Sequence, residues 1–495
     1  MTLPPEIAAV LESRARWGVA LGDCLDLMKL LPNASVDAVV GDPPSGMGFM
    51  GKEWDDFRRS RNKADAGRDS VFGRMSSRAP EYGRGDRGRF VTWLAERLAE
   101  SQRVLKPGGY ALVWGIPKLS HWTAWAIEDA GFELQDRITH IFGSGSGAGA
   151  LDVSKAIDKE LGTTEHREIV GRYRVSGNAL TPTSKKGGTY GVGVPNAEPG
   201  ELTRTTGGSP EAKSFDGWKS QLKPAVEDWY IAMKPLDGTY ANNALKHGLA
   251  GMNIDACRVG NDWEHEPGRP ESWRRSGVSA KPDAPKIAAP PGQGMILHPD
   301  GRYPAHLVLS HDDDCVPDGP CGAGCPVRAL DEQSGHLKSG RFPDGVTYAR
   351  GKSNVYGESR TASATIHGDE GGASRYFNTF YPFHYEKKAS RAERDAGCEH
   401  IPPKQDDGPH NHHPTVKNLD LMGWLCRLIT RPGGLILDPF LGSGSTGCAA
   451  MREGFRFIGF EGGCDESAEY IEIARARIQH WHEQTVGPLF TRVAT

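Results

Sequence analysis

No apolar run in this 495-residue chain approaches the ~18 residues of a membrane helix, which excludes a spanning segment. The opening residues, MTLPPEIAAVLESRARWG, lack the pattern of a signal peptide. An excess of either charge is missing too: 59 Lys and Arg stand against 63 Asp and Glu. Net charge therefore argues for no nucleic-acid partner, and any basic surface must be local. Cysteine is scarce, with nine residues, of which four lie between Cys257 and Cys325. Without a secretion signal, reduced thiols or metal ligation are expected rather than disulfides. The chain is expected to be soluble and cytoplasmic. Glycine and proline, at 63 and 34, make up about a fifth of it. That is short of the roughly 25–30% of low-complexity chains and suits a folded enzyme with long loops.

The first 142 residues alternate strand and helix. GVALGD (18–23) and VDAVVGD (36–42) read as strands, with CLDLMKLLPN helical between them. RFVTWLAERLAESQRVLKPGG (89–109) is spaced as an amphipathic helix ending at Pro107-Gly108, and YALVWG, SHWTAWAIEDAGF and ELQDRITHIF follow as strand, helix and strand. This βαβα order predicts a mainly parallel sheet. From Gly143 the order breaks into stretches rich in Gly, Pro, Ser and charge. It returns at NLDLMGWLCRLIT, GGLILDPF, TGCAAMREG, FRFIGFE and DESAEYIEIARARIQHW. The expected division is 1–142 and 410–495 as two parts of one catalytic domain, with 143–409 inserted between them.

Two motifs carry chemistry. Val36, Ala38, Val39 and Val40 form a short apolar strand that must stop at Asp42, because Pro43 and Pro44 cannot continue a ladder. An acid at a strand's carboxyl end lies where open α/β sheets bind ligands. In ILDPFLGSGSTGCAAMREGFRFIGFE, Gly442, Gly444 and Gly447 follow a strand and precede a helix, and Glu461 comes 19 residues after Gly442. That also matches a dinucleotide fingerprint, so a dehydrogenase competes. Chain order argues against it, since one helix and a short tail after Glu461 cannot complete a dinucleotide sheet. The missing strands must come from the N-terminal segment, giving a circularly permuted, doubly wound, Rossmann-like sheet with a large irregular insertion.

DPPS followed by FMGKEWD, then NHHPTVKN, then DPFLGSGSTG with GFRFIGFE, resembles the amino-methylating DNA methyltransferases in their beta-type motif order. The likeness covers 18–142 and 410–480; LKPAVEDWYIAMKPL and NALKHGLAGMNIDACRV between them resemble segments of some members. It implies transfer of a methyl group from S-adenosylmethionine to the exocyclic amine of adenine or cytosine in double-stranded DNA, in a restriction-modification setting. It further implies that Phe440, Gly442 and Gly444 let the backbone approach the cofactor and that Glu461 accepts its ribose hydroxyls. Asp23, with Cys24, stands near the adenine; His413, Thr415 and Lys417 close over the methionine part, and Asp438 completes the set. The family usually has proline where Asn418 stands.

An exocyclic amine is a poor nucleophile because its lone pair is delocalised into the ring. Two acceptors on its N–H groups, the Asp42 carboxylate and the Pro43 carbonyl, would free that pair, with Pro44 keeping the backbone rigid. The base must leave the duplex to reach them. The family places a stacking aromatic after the two prolines, and here Ser45 occupies that position, so Phe49 or Trp54 is expected to replace the ring. Aspartate at 42 leans toward adenine N6. Cytosine N4 is second; RNA or protein amide methylation ranks third, the latter typically carrying an NPPY absent here. A non-catalytic DNA-binding protein that retains the cofactor pocket is the alternative from another class. Oligomeric state stays open, a dimer included.

Residues 57–89 hold nine Arg and one Lys against four acids, which suits a loop closing on phosphates. His311, Cys315, Cys321 and Cys325, spaced H-x3-C-x5-C-x3-C, suit a closed structural zinc site, with Cys398 as an alternative fourth ligand. His410, His412 and His413 belong to the cofactor-closing motif instead. The region 143–409 is expected to carry target recognition.

Overall fold

A computed structural model describes residues 2–46, 55, 84–142, 150–174, 201–222, 225–259, 301–311, 315, 321–322, 325–338, 352–353, 357–358, 370–380, 394–404 and 408–486. Nine strands form one sheet: β1 (Trp17–Leu21), β2 (Val36–Gly41), β3 (Leu105–Gly115), β4 (Glu133–Ile141), β5 (Val226–Met233), β6 (Leu307–Ser310), β7 (Asn378–Phe380), β8 (Leu435–Asp438) and β9 (Arg456–Glu461). Their order across the sheet is β1-β9-β8-β2-β3-β5-β4-β6-β7. All neighbours run parallel except β5, which is antiparallel to both β3 and β4. The sheet is thus mixed rather than simply parallel. The late strands β8 and β9 lie between the early strands β1 and β2. The stretch 143–409 supplies three strands, one of them wedged between β3 and β4.

Side chains alternate across each strand, and that alternation builds two apolar layers. Ala38, Val40, Tyr110 and Leu112 join one cluster with helix α8 (Leu419–Ile429), α9 (Ser445–Arg452) and α10 (Ser467–Val486). Val36, Val39, Ala111 and Val113 join another with α1 (Pro5–Leu11), α2 (Cys24–Lys29), α3 (Arg84–Val104) and α4 (Ser120–Asp129). Every residue of β2 and β8 is buried, which explains their mostly apolar sequences; the buried Asp37 in β2 is paired with Lys106 at 2.6 Å. Helix α3 stops at Val104, earlier than its sequence pattern suggests, and β3 begins at Leu105. Pro107 disfavours helical backbone at Lys106, and Gly108 takes a φ of 69°.

Asn418 explains itself here. Its Oδ1 accepts from the N–H groups of Asp420 at 2.6 Å and Leu421 at 2.9 Å, capping α8. The departure from proline therefore gives the almost wholly buried helix a side-chain cap. All nine cysteines are free thiols, and no helix among the described residues is long and apolar enough to cross a membrane.

Candidate active site

The carboxyl ends of β1, β9, β8 and β2 lie side by side. Each is followed or finished by an acid: Asp23, Glu461, Asp438 and Asp42. The register pairs Leu21 with Glu461, Asp438 with Gly459, and Leu437 with Val39. Two pairs of acids, the pairs hundreds of residues apart in sequence, therefore share one edge, and sheet order alone assembles them.

Asp42 follows Gly41 directly, with Pro43 buried beside it. Its Oδ2 lies 3.2 Å from Lys417 Nζ, and the same ammonium lies 3.4 Å from Glu227 Oε2. Lys417 is buried and sits 4.1 Å from the ring centroid of Trp114. Burial alone would push its ammonium down, but the carboxylates of Asp42 and Glu227 outweigh that and hold it above the usual lysine range. Glu227 opens β5, and because β5 runs antiparallel its beginning reaches the same edge. There Glu227 Oε2 accepts from Trp114 Nε1 at 2.8 Å, while Oε1 meets His140 Nδ1 at 2.9 Å. His140 Nε2 in turn meets Ser310 Oγ at 2.7 Å. A polar chain thus runs from Asp42 through Lys417, Glu227 and His140 to Ser310, across five strands.

The turn after the diproline is held by an acid that the motif reading passes over. Asp55 is fully buried; its Oδ2 accepts from Ser45 Oγ and its Oδ1 from Gly46 N, both at 2.6 Å. Gly46 has a φ of 76°, and a Cβ there would come within 2.8 Å of Phe90. Ser45 is therefore a structural partner of Asp55, whatever replaces the family's aromatic. Phe49, Trp54 and residues 57–83 of the basic loop lie outside the described residues. Ser45→Ala is expected to lower stability by about 1–3 kcal/mol, because a buried carboxylate loses a donor. Thermal unfolding of Ser45→Ala, Asp55→Asn and the double variant checks this. A double variant costing as much as the two singles added together would show that the pair is not coupled.

On the other side of β8 the glycine turn is shaped by close neighbours. Gly442 and Gly444 take φ values of 52° and 77°. A Cβ on Gly442 would sit 2.9 Å from His413 Nε2. His413 lies edge-on to Tyr470 at a centroid distance of 4.5 Å, and its Nδ1 accepts from Thr415 N at 3.3 Å. Lys417 N donates to Ser445 Oγ at 3.2 Å, tying the HPTVK segment to the start of α9. Arg394 donates to the carbonyls of Asn411 and His413 at 2.6 and 2.5 Å, and the fully buried Arg477 donates to Ser443 O at 2.7 Å. Nothing in the local sequence marks either arginine as a clamp.

Glu461 Oε2 accepts from Gly442 N at 2.8 Å, and Oε1 from Ser467 Oγ at 3.1 Å. Burial raises this carboxyl to about 7, against those two bonds. Asp438 is likewise raised to about 7 by burial, although it accepts from Phe440 N at 2.9 Å and from the Thr446 side chain. Phe440 stands 6.0 Å from the ring of Trp93. Asp23 caps α2 through Leu25 N at 2.8 Å and pairs with Arg97 at 2.8 Å, so it is more engaged than a bare ligand acceptor. Cys24 is buried, and desolvation pushes its thiol up to about 12.

The structure brings His311, Cys315, Cys321 and Cys325 together, with ligand atoms all within 4.8 Å of one another. Cys398 is elsewhere, buried with Tyr470 and Ile473.

Residues 352–476 match the family described as DNA methylase, of the N6/N4 type, in agreement with the likeness of the motifs. The Type II methyltransferase M2.DpnII of Streptococcus pneumoniae is 45% identical over 71 residues, 14% of this chain and 25% of that protein. YubD of Escherichia coli strain K12 is 46% identical over 52 residues, 10% of this chain and 23% of that protein. The chain spans about a quarter of the length of these curated relatives. Among solved structures, the cytosine-N4-specific PvuII DNA methyltransferase aligns over 95% of this chain and 92% of its own, at 11% identity and a TM-score of 0.38. The M1.HpyAVI–SAM complex aligns over 93% and 98%, at 13% identity and 0.32. Likenesses of that strength leave the fold to rest on its own topology.

Proposed function

We propose, from a chain whose segment 352–476 matches the N6/N4 DNA methylases, that this edge transfers a methyl group from S-adenosylmethionine to the exocyclic amine of a base flipped out of double-stranded DNA. Adenine N6 is the favoured target, because aspartate rather than serine opens the diproline motif. The observation that carries the reading is the pairing of β2 with β8, which sets Asp42 beside the glycine turn and Glu461. The site fits such a cofactor. Gly442 and Gly444 let the backbone take the positive-φ turn between β8 and α9, Glu461 offers a buried acceptor for ribose hydroxyls, and the row of acids favours a cation.

When bound, the cofactor supplies a methyl group activated on a positively charged sulfur. The Asp42 carboxylate and the Pro43 carbonyl accept the two N–H groups of the amine, which localises its lone pair. Lys417, locked between Asp42 and Glu227, fixes the Asp42 carboxylate in direction. The segment 143–409 is assigned target recognition in this reading, apart from the strands it lends to the sheet and from Glu227 and Arg394, which serve the edge itself.

The test is methyl transfer from isotopically labelled cofactor to duplex DNA, digested to nucleosides and read by mass spectrometry. N6-methyladenine is the expected product. N4-methylcytosine would move the assignment to the second base. Cofactor and DNA binding without transfer would favour a non-catalytic DNA-binding protein, a reading that the commitment of Ser45 to Asp55 in place of a stacking ring supports.

Glu461 makes this binding pH-dependent. Its carboxyl, raised to about 7, is neutral in much of the ligand-free protein below that pH, whereas ribose hydroxyls donate best to the charged form. Affinity is expected to fall up to about tenfold per pH unit below pH ~7 and to level off above it. The stability sign is opposite: the contribution of this group is full below its unfolded value near 4.5 and is lost as pH rises through about 7. Glu461→Gln should flatten both trends, and Glu461→Ala should cost at least tenfold in affinity at pH 8, from roughly 1.5–3 kcal/mol per charged hydrogen bond. Calorimetry between pH 5.5 and 8 reads this, and a flat wild-type curve would remove Glu461 from the pocket.

A further inference from the structure

We infer that His311, Cys315, Cys321 and Cys325 form a closed structural zinc site that fastens the segment after β6 to the far end of the sheet. The ligand atoms lie within 4.8 Å of one another. Two sulfurs each about 2.3 Å from a tetrahedral zinc stand about 3.8 Å apart, so little movement closes the site. His311 follows β6, and its Nδ1 lies 3.3 Å from Cys321 Sγ and 3.6 Å from Cys325 Sγ. Two of the sulfurs also receive backbone N–H groups: Gly322 N donates to Cys315 at 3.2 Å, and Arg328 N to Cys325 at 3.4 Å. Such bonds orient the two sulfurs within the cluster. Cys325 is moreover the N-cap of a nine-residue helix, α7 (Pro326–Ser334), which fixes the direction of its sulfur.

Three soft sulfurs and one imidazole select zinc over magnesium or calcium, and four protein ligands leave no open coordination position. The role is therefore structural. Binding releases the thiol protons, and the metal takes over their place as the common partner of the cluster. What it secures is visible on both sides. His311 N donates to Phe380 O at 2.9 Å, joining the site to β7. On α7, Asp331 accepts from Ser374 N and Ser374 Oγ, each at 2.7 Å. Ser310, next to His311, ends the polar chain that begins at Asp42.

Metal analysis of the full chain, purified without chelators, tests this whatever reaction the edge performs. The expected result is one equivalent of zinc per chain, reduced to background in Cys321→Ser/Cys325→Ser and retained in Cys398→Ser. Cobalt exchanged into the wild-type protein is expected to show the visible absorption of a tetrahedral thiolate site, a readout that does not depend on the variants folding. Wild-type protein that takes up neither zinc nor cobalt would overturn the assignment. So would a double variant that keeps a full equivalent.

Discussion

Asp42→Ala is expected to lower methyl transfer at least a hundredfold while leaving cofactor affinity within about twofold. Positioned proton acceptors contribute ~10²–10⁴ in rate, and the proposed function gives that work to Asp42, at the end of β2. The nucleoside contacts proposed above belong to other strands: Glu461 ends β9, and the glycine turn follows β8. Asp42→Asn, which keeps an acceptor oxygen of the same shape, should fall between wild type and alanine. Turnover under saturating cofactor and duplex, together with calorimetry of cofactor binding, measures both halves. Near-native turnover in Asp42→Ala would sink the assignment of this edge as catalytic.

Lys417→Met is expected to be the most destabilising single change at the site, by about 3–5 kcal/mol. Removing one member of a buried ionic group strands its partners, and here two carboxylates, Asp42 and Glu227, are left facing each other. The loss should be larger at pH 8 than at pH 5, where a carboxyl can take up a proton. Glu227→Gln in the same background should restore part of the stability, since it removes one of the stranded charges. Thermal unfolding of the single and double variants at both pH values checks this. Equal stability of Lys417→Met and wild type at pH 8 would mean that the ammonium contributes nothing net to the fold.

The contrast between β2 and β5 explains how far the sequence could be read. VDAVVG and LILD are buried on both faces, so apolar runs ending on an acid and a proline announce them without reference to distant residues. VEDWYIAM carries two acids at its start and lies in a stretch whose surroundings are loop-like, so its insertion between β3 and β4 is a matter of pairing rather than pattern. The same holds for the site. Asp42, Glu461 and the glycines stand in local motifs. Glu227 and His140 are ordinary polar residues 87 positions apart until the β4–β5 register sets them opposite each other. In FMGKEWD the aromatics are conspicuous, yet Asp55 is the residue that reaches Ser45. Arg394 and Arg477 act through backbone carbonyls, a use of arginine that leaves no spacing to detect.

The interleaving of β8 and β9 between β1 and β2 has a consequence in time. Among the described residues strand β1 has β9 as its only sheet neighbour, and β2 meets β8 on the side facing β1. Both partners are synthesised some four hundred residues later. At roughly 5–20 residues per second a ribosome needs on the order of 20–80 s to deliver them. Throughout that interval β1 is without its ladder, and the β2 edge that will receive β8 is unfilled, a template for pairing with other chains. The pairings that close the gap are among the most non-local in the molecule, which slows the last step of assembly. The acids of the edge therefore come together only at that late step, and a nascent chain halted before residue 461 has no complete row of them.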